Sequence, residues 1–164
     1  MLRTRIIPCL LLKDQSLVKT VQFQKFNYIG DPINTVRIFN KLEVDELCFL
    51  DIRATLENRE PNKKILAEIA DECFMPLSYG GGIKDLATAR SILSIGFEKV
   101  ILNTAAIENS KLVSEIAEYS GSQSVIASID VKKTLFGKYS VYSKDGSHNT
   151  KKDPVEWARQ VEKL

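Results

Sequence analysis

The sequence has few of the residues that metal, redox and disulfide sites require. Its 164 residues include three cysteines, one histidine and one tryptophan. Cys9, Cys48 and Cys73 are widely spaced, form no Cys-x-x-Cys pair and have no histidine nearby in sequence. Because structural metal sites need closely spaced ligands, we predict no metal and no cofactor. We expect the cysteines to be buried thiols in a reducing compartment.

The chain also lacks an excess of charge and a long apolar run. Its 23 basic and 21 acidic residues are interspersed, so no strong field favours nucleic acid or a membrane surface as a partner. The apolar run near the N-terminus is too short for a signal peptide, and no segment is long enough to span a membrane. We therefore expect a cytoplasmic protein that forms a single globular domain over residues 1–164, and small anionic ligands remain possible.

Strand and helix patterns alternate five times along the chain. Apolar runs of strand length lie at 6–12, 46–50, 75–79, 99–102 and 124–130. Helical patterns follow them at 32–42, 63–73, 86–95, 110–119 and 154–164. This order predicts an α/β fold built from parallel βαβ units. A further extended segment is expected at 138–142, and His148 beyond it is expected to be an exposed loop residue.

Three glycines, at positions 80 to 82, directly follow the apolar strand that contains Pro76. Residues without Cβ can adopt positive φ and present consecutive NH groups to a phosphate or another anion. The same glycines could serve only as a tight strand-to-helix turn. Polar residues also end other strands, namely Asp51, Asn103, Thr104 and Asp130. In a barrel of βα units the active site lies at this carboxyl-end rim.

Short motifs occur in order along essentially the whole chain. They are RIIPCL at 5–10, GDP at 30–32, DEL at 45–47, FLDI at 49–52, GGGI at 80–83, NTAA at 103–106, GSQ at 121–123 and ID at 129–130. Together they resemble the cyclase subunit of imidazole glycerol phosphate synthase. The resemblance implies a parallel (β/α)₈ TIM barrel, of which this chain holds the first five βα units. It also implies a glutaminase partner, whose ammonia is used to cleave and cyclise a bis-phosphorylated substrate.

The resemblance implies catalytic aspartates at the ends of the first and fifth strands. Asp130 matches the second, whereas Leu11 stands at the first, and a short repeat aligns residues 7–13 with 126–132. Leucine cannot shuttle protons, which argues against the standard cyclase activity. The run LLLK at 10–13 resembles a divergent branch of the family, which we favour, in which the barrel helps a glutaminase supply ammonia for amidination of a surface-polysaccharide sugar. Two alternatives stay open: a histidine-pathway cyclase, and a non-catalytic barrel that activates or scaffolds the glutaminase.

The resemblance also implies substrate-binding residues. Lys19 matches a loop lysine that contacts substrate, with a solvated loop residue as the alternative. Asp51 matches a rim carboxylate, with a turn or cap residue as the alternative. Gly82, Asn103 and Thr104 match one of two phosphate sites.

At the opposite end of the predicted barrel, the resemblance implies an ammonia entrance. Arg5, Glu46 and Lys99 match three of its four charges, and Gln123 resembles a residue that faces the glutaminase. The alternative is that these charges are solvated strand ends.

A complete (β/α)₈ barrel needs about 250 residues. The resemblance therefore implies that the second phosphate site and the fourth charge lie outside this sequence. We consider three explanations: the sequence is part of a longer protein, which we favour; the gene is truncated; or two partial barrels associate. In a partial barrel, we expect the first and fifth strands to be unpaired edges.

Overall fold

The computed structural model describes residues 4–21, 24–134, 137–144 and 146–164. Its helices and strands, in chain order, are β1 (Cys9–Lys13), β2 (Ser16–Val21), β3 (Gln24–Gly30), α1 (Pro32–Leu42), β4 (Leu47–Asp51), α2 (Lys63–Glu72), β5 (Leu77–Gly80), α3 (Leu86–Ile95), β6 (Lys99–Leu102), α4 (Thr104–Glu108), α5 (Lys111–Ser120), β7 (Val125–Ala127), β8 (Asp130–Lys133), β9 (Tyr139–Ser143), β10 (His148–Asn149) and α6 (Pro154–Glu162). A short 3₁₀ turn, Ser122–Ser124, precedes β7.

The main sheet has the order β3-β2-β1-β4-β5-β6-β7. Strands β1, β4, β5, β6 and β7 are parallel to their neighbours in this group, as the alternation of patterns predicted. Helices α1, α2, α3 and α5 lie between these strands in the chain, which is the arrangement of successive βα units. The described sheet is open, with β3 and β7 at its two ends, so closure into a barrel stays a prediction.

An antiparallel hairpin, β2–β3, occupies the segment that the sequence analysis treated as a loop after the first strand. Strand β2 pairs with β1 from Leu11 to Lys13. The expectation that the first strand is an unpaired edge is therefore wrong for this part of β1. Leu17 and Val18 of β2 are buried, which explains why the hairpin adds to the sheet instead of remaining a solvated loop.

The core lies between the sheet and its helices. Alternate strand residues point to this side, and those buried here include Leu10, Leu12, Leu47, Phe49, Leu77, Tyr79, Val100 and Leu102. The helices contribute Val36, Ile65, Leu66, Ile69, Ala89, Ile92, Leu112, Ile116 and Trp157. This packing fixes the strands, and with them the positions of the residues that follow each strand.

The other side of the sheet, which we call the inner face, is carried by the intervening residues. The strand registers place them side by side: Cys9, Leu11, Cys48, Leu50, Ser78, Gly80, Lys99, Ile101 and Ile126. Cys9 is exposed, Cys48 is buried and Cys73 is half-buried. The expectation of three buried thiols is therefore right only for Cys48, which lies between β1 and β5 in the sheet, whereas Cys9 is at the beginning of β1 and Cys73 follows the end of α2.

A second, three-stranded antiparallel sheet follows β7, with the order β10-β9-β8. The extended segment expected at 138–142 is confirmed as β9. The prediction that Asp130 ends the fifth parallel strand is wrong. That strand ends at Ala127, and Asp130 is the first residue of β8. His148 is exposed, as predicted. It belongs to strand β10, where it pairs with Ser143 of β9, and is therefore not a loop residue.

Within the described ranges, no helix has the length and hydropathy needed to cross a membrane. The same residues contain no group of three or more histidine, cysteine, aspartate or glutamate side chains that could hold a metal ion.

Candidate active site

A cavity of about 130 Å³ lies at the carboxyl ends of β4, β5, β6 and β7. Five of the residues predicted from the sequence line it, and they are Asp51, Gly82, Asn103, Thr104 and Asp130. Lys19 is exposed on β2 and is not among the lining residues. The fold therefore brings together one set of predicted substrate residues and leaves Lys19 outside it.

The glycine turn packs tightly against the segment that follows β4. Gly81 has φ +119°, and a Cβ there would lie 2.3 Å from the carbonyl oxygen of Asp51. Gly82 has φ +69°, and its Cβ would lie 2.7 Å from the carbonyl oxygen of Arg59. The Gly82 NH donates a hydrogen bond to Thr55 Oγ1 at 3.3 Å. The turn thus needs glycine for its own packing, and anion binding there stays a prediction.

Asp51 is buried and is held by several hydrogen bonds. Arg59 makes a bidentate pair with it, with Nη1–Oδ2 at 2.9 Å and Nη2–Oδ1 at 3.1 Å. The backbone NH groups of Arg53 and Ala54 also donate to Oδ1, each at 3.0 Å. The hydrogen bond that Arg59 donates to Asp51 raises the pKa of Arg59 above its ordinary value. Asp51 therefore caps the turn after β4 while it lines the cavity.

Arg59 is the residue of this site that sequence reasoning missed. It lies in the irregular segment between β4 and α2, eight residues after its partner Asp51. Glu57 lies between them in sequence and accepts a hydrogen bond from Arg59 Nε at 3.0 Å. A charged Glu-x-Arg pair in this segment is the signal that could have drawn attention to it.

Asp130 is half-buried, in an environment that disfavours the charged form of its carboxyl. Partial burial raises the pKa of its carboxyl, while the nearby Asn103 side chain and the charge of Lys132 act in the opposite direction. No ion pair of Asp130 is found within the described ranges, whereas the other carboxylate of the cavity, Asp51, is paired with Arg59. Asp130 is therefore the better placed of the two to exchange a proton with a ligand.

Leu11 lies in register with Leu50, which lines the cavity. Residues in register on parallel strands face the same side of a sheet, so both lie on the inner face. At this position an aspartate would stand beside the cavity, whereas the side chain present is half-buried and apolar.

A second cavity, of about 460 Å³, adjoins the first and shares Gly82 and Thr104 with it. Lys84 and Lys144 also line this second cavity. The Lys144 backbone NH donates to Thr104 Oγ1 at 3.1 Å, and the Lys84 ammonium donates to Asn58 Oδ1 at 2.5 Å. The glycine turn thus has two lysines beside it that the sequence analysis did not assign to the site.

At the opposite ends of the strands, Glu46 is the centre of a charge cluster. Its side chain is buried, with Lys99 Nζ 2.6 Å and Arg5 Nη1 3.7 Å from Oε2. Gln123 is exposed, lines a groove together with Lys99 and donates through Nε2 to the carbonyl oxygen of Ser120 at 3.2 Å. The structure therefore groups the four predicted entrance residues at one end of the sheet.

Comparisons with known proteins identify the family of the chain. Residues 5–164 match the family described as Histidine biosynthesis protein. Three similar proteins are each named "putative" imidazole glycerol phosphate synthase subunits. The one called hisF2, from Pseudomonas aeruginosa, is 55% identical over 162 residues, or 99% of this chain and 64% of that protein.

The other two are of similar coverage. The HisF of Leptospira borgpetersenii is 51% identical over 165 residues, which are 100% of this chain and 65% of that protein. The hisF3 of Vibrio vulnificus is 46% identical over 165 residues, which are 100% of this chain and 64% of that protein. The chain thus spans just under two thirds of the length of these relatives. It belongs to the histidine biosynthesis protein family.

Proposed function

We propose that the chain is the barrel subunit of a glutamine amidotransferase complex of the imidazole glycerol phosphate synthase type. In this proposal a partner glutaminase releases ammonia at the Glu46 end of the sheet. The ammonia reacts with a phosphorylated acceptor at the Asp130 end. The acceptor class we favour is a sugar of a surface polysaccharide, which is amidinated.

The single observation that carries this proposal is the position of the two sites at opposite ends of the same strands. The Glu46 cluster lies where β4 and β6 begin, and the cavity lies where they end. Between them, the inner face carries small or uncharged side chains such as Cys48, Ser78 and Gly80. A small neutral molecule such as ammonia can move along such a surface without losing charge–charge or strong hydrogen-bond partners.

The residues around the glycine turn support a phosphorylated acceptor. Lys84 lines the second cavity beside Gly82 and Thr104 and supplies a positive charge there, whereas the Lys144 ammonium is paired with Glu108 at 3.2 Å in the same cavity. A phosphate that displaced the Thr55 hydroxyl from the Gly82 NH would gain a charge-assisted hydrogen bond. The two adjoining cavities leave room for the rest of the acceptor beside this group.

Leu11 supports the divergent branch over a cyclase, because it offers no second proton-transferring group. Among the described residues, Asp130 is then the carboxylate of the cavity that has no ion pair and could do general acid–base work. The names of the relatives, which refer to imidazole glycerol phosphate synthase, favour the cyclase as a second candidate function. An assay of the variant Leu11→Asp distinguishes the two candidate functions. The variant and the unsubstituted chain are each supplied with the bis-phosphorylated ribulosyl substrate and ammonium chloride. Cyclase turnover by the unsubstituted chain would favour the second candidate, and turnover gained only by Leu11→Asp would favour the first.

The proposal is tested by mixing the chain with a glutaminase subunit of this class and measuring glutamate release from glutamine. We expect stimulation that Lys99→Glu removes although circular dichroism shows the variant to be folded, and that Lys111→Glu, a reversal at an exposed site on α5, leaves unchanged. Stimulation that survives Lys99→Glu would contradict docking at this end. Stimulation without any acceptor amidination, even with ammonium chloride, would make the chain a non-catalytic activator of the glutaminase.

A further inference from the structure

Two of the three cysteines meet on the inner face. Cys9 of β1 and Cys48 of β4 are direct partners in the parallel register. Their sulfur atoms are 3.7 Å apart, although 39 positions separate the residues in sequence. The third cysteine, Cys73, follows α2 on the other side of the fold, where its thiol contacts the carbonyl oxygen of Met75.

The backbone positions of the pair suit a disulfide. Neighbouring strands lie about 4.8 Å apart, which falls inside the Cα separation of about 4.4–6.8 Å that disulfides span. Both side chains point to the same face, since their sulfur atoms are already in contact. Bond formation needs the sulfur atoms to approach from 3.7 Å to about 2.05 Å, which side-chain rotation can supply without moving either strand.

The two thiols differ in the way that a reactive and a resolving cysteine differ. Cys9 is exposed and Cys48 is buried. The hydrogen bond with Cys48 lowers the pKa of Cys9 to about 7, against the opposing effect of burial. The same hydrogen bond, together with burial, raises the pKa of Cys48. At neutral pH, Cys9 is therefore the thiol with substantial thiolate character, which is the form that attacks oxidants.

We propose that Cys9 and Cys48 are a peroxide-responsive dithiol that closes to a reversible disulfide between β1 and β4. The Cys9 thiolate attacks one oxygen of hydrogen peroxide, the O–O bond breaks, and Cys9 becomes a sulfenic acid while the released hydroxide is protonated to water. The Cys48 sulfur then attacks the Cys9 sulfur, the S–O bond breaks, and a second water leaves with the Cys48 proton. Two thiols lose two electrons and the peroxide gains them.

The disulfide would lie on the inner face, midway between the two sites that the proposed function uses. Cys48 is two residues after Glu46 and two before Leu50, so it lies on the inner face between the charge cluster and the cavity. Regulation of ammonia passage by this bond rests on the proposed function. Formation of the bond does not, because it depends only on the two thiols and an oxidant.

The test is to treat the purified chain with equimolar hydrogen peroxide at neutral pH and map its peptides by mass spectrometry. We expect one linkage, between the peptides that contain Cys9 and Cys48, a mass lower by two hydrogen atoms, and reversal by dithiothreitol. Cys73 is the internal control and should remain a free thiol. In urea, the three possible pairings of three cysteines should all appear, because native proximity is lost.

Two variants keep the result decisive. Cys73→Ser should give the same linkage, whereas Cys48→Ser should stop at a Cys9 sulfenic acid that dimedone traps. Circular dichroism of Cys48→Ser checks that the variant is folded. Equal oxidation of Cys73 in the native chain, intermolecular dimers through Cys9, or a Cys9 that oxidises past the sulfenic acid while Cys48 stays free would each overturn the proposal.

Discussion

Lys99 and Glu46 join the beginnings of β6 and β4 across the intervening strand β5, with Nζ 2.6 Å from Oε2. The Glu46 side chain is buried and the Lys99 side chain is largely so. An ion pair in such a place is costly to break from one side, because the remaining charge stays desolvated. The pair therefore ties three parallel strands together at the end where we place the ammonia entrance.

Replacing Lys99 should test this coupling. We expect Lys99→Ala to lower the free energy of unfolding by about 3 kcal/mol, since Glu46 would keep only the more distant and exposed Arg5. Urea denaturation measures the change. Lys111→Ala, which removes an exposed pair with Glu115, should cost no more than about 0.5 kcal/mol. A double variant Glu46→Gln with Lys99→Gln should recover part of the loss, and equal losses for Lys99 and Lys111 would refute the coupling.

Arg59 should support both the stability and the shape of the rim cavity. Arg59→Ala leaves Asp51 buried with only backbone donors, so we expect a loss of about 3 kcal/mol in the free energy of unfolding. The matched control is Arg53→Ala, which removes an exposed i,i+4 pair with Glu57 and should cost about 0.4 kcal/mol. Thermal denaturation of the two variants side by side checks the contrast. A similar effect for both arginines would show that the bidentate geometry adds nothing.

The order of strands and helices could be predicted from the sequence because each parallel strand is an apolar run and each helix has a clear period. The hairpin β2–β3 could not, because Gln24–Gly30 mixes polar and apolar residues without a continuous apolar run and is held by pairing with the neighbouring strand. A hairpin of this kind is specified by its partner more than by its own composition.

The candidate site also contains residues that could be predicted from the sequence and residues that could not. The residues that immediately follow strands, such as Gly82 and Asn103, could be placed at one rim because parallel strands end together. Arg59 lies in a segment without period, so nothing in its spacing indicated that it would reach back to Asp51. Asp130 was assigned to the end of a strand, whereas the chain turns after Ala127 and starts a new sheet.

Gly81 should be the least replaceable glycine of the turn. An alanine there combines a positive φ with a Cβ only 2.3 Å from the Asp51 carbonyl oxygen. We expect Gly81→Ala to cost several kcal/mol, on the order of 3 or more, because backbone atoms must move. Gly137→Ala is the control, since Gly137 has φ +79° and, among the described residues, its Cβ would meet only the flexible end of Lys133 at 3.9 Å. It should cost about 1 kcal/mol, which is the conformational strain alone. Equal losses in urea denaturation would show that the contact with Asp51 is unimportant.

Asp130 should lower stability at neutral pH while it serves the proposed reaction. Burial raises its pKa in the folded state above the unfolded value. Its contribution to stability is therefore fully present below the unfolded pKa and is lost as pH rises through the folded pKa. We expect Asp130→Asn to match the unsubstituted chain in acid and to exceed it in unfolding free energy at neutral pH. The proposed transfer reaction should fall at least about a hundredfold.

Asp85 serves as the control, because its pKa is shifted in the opposite direction from that of Asp130. The backbone NH of Thr88 hydrogen-bonds to Asp85, which lowers the pKa of that carboxyl. Its contribution is present above the unfolded pKa and is lost as pH falls through the folded pKa. Asp85→Asn keeps a helix-capping side chain and should be less stable than the unsubstituted chain at neutral pH, with the difference vanishing in acid. Unfolding free energies measured across this pH range should therefore diverge in opposite directions for the two variants. Parallel curves would mean that the Asp130 carboxyl is not held in a charge-disfavouring environment, and the proton-transfer role we assign to it would lose its physical basis.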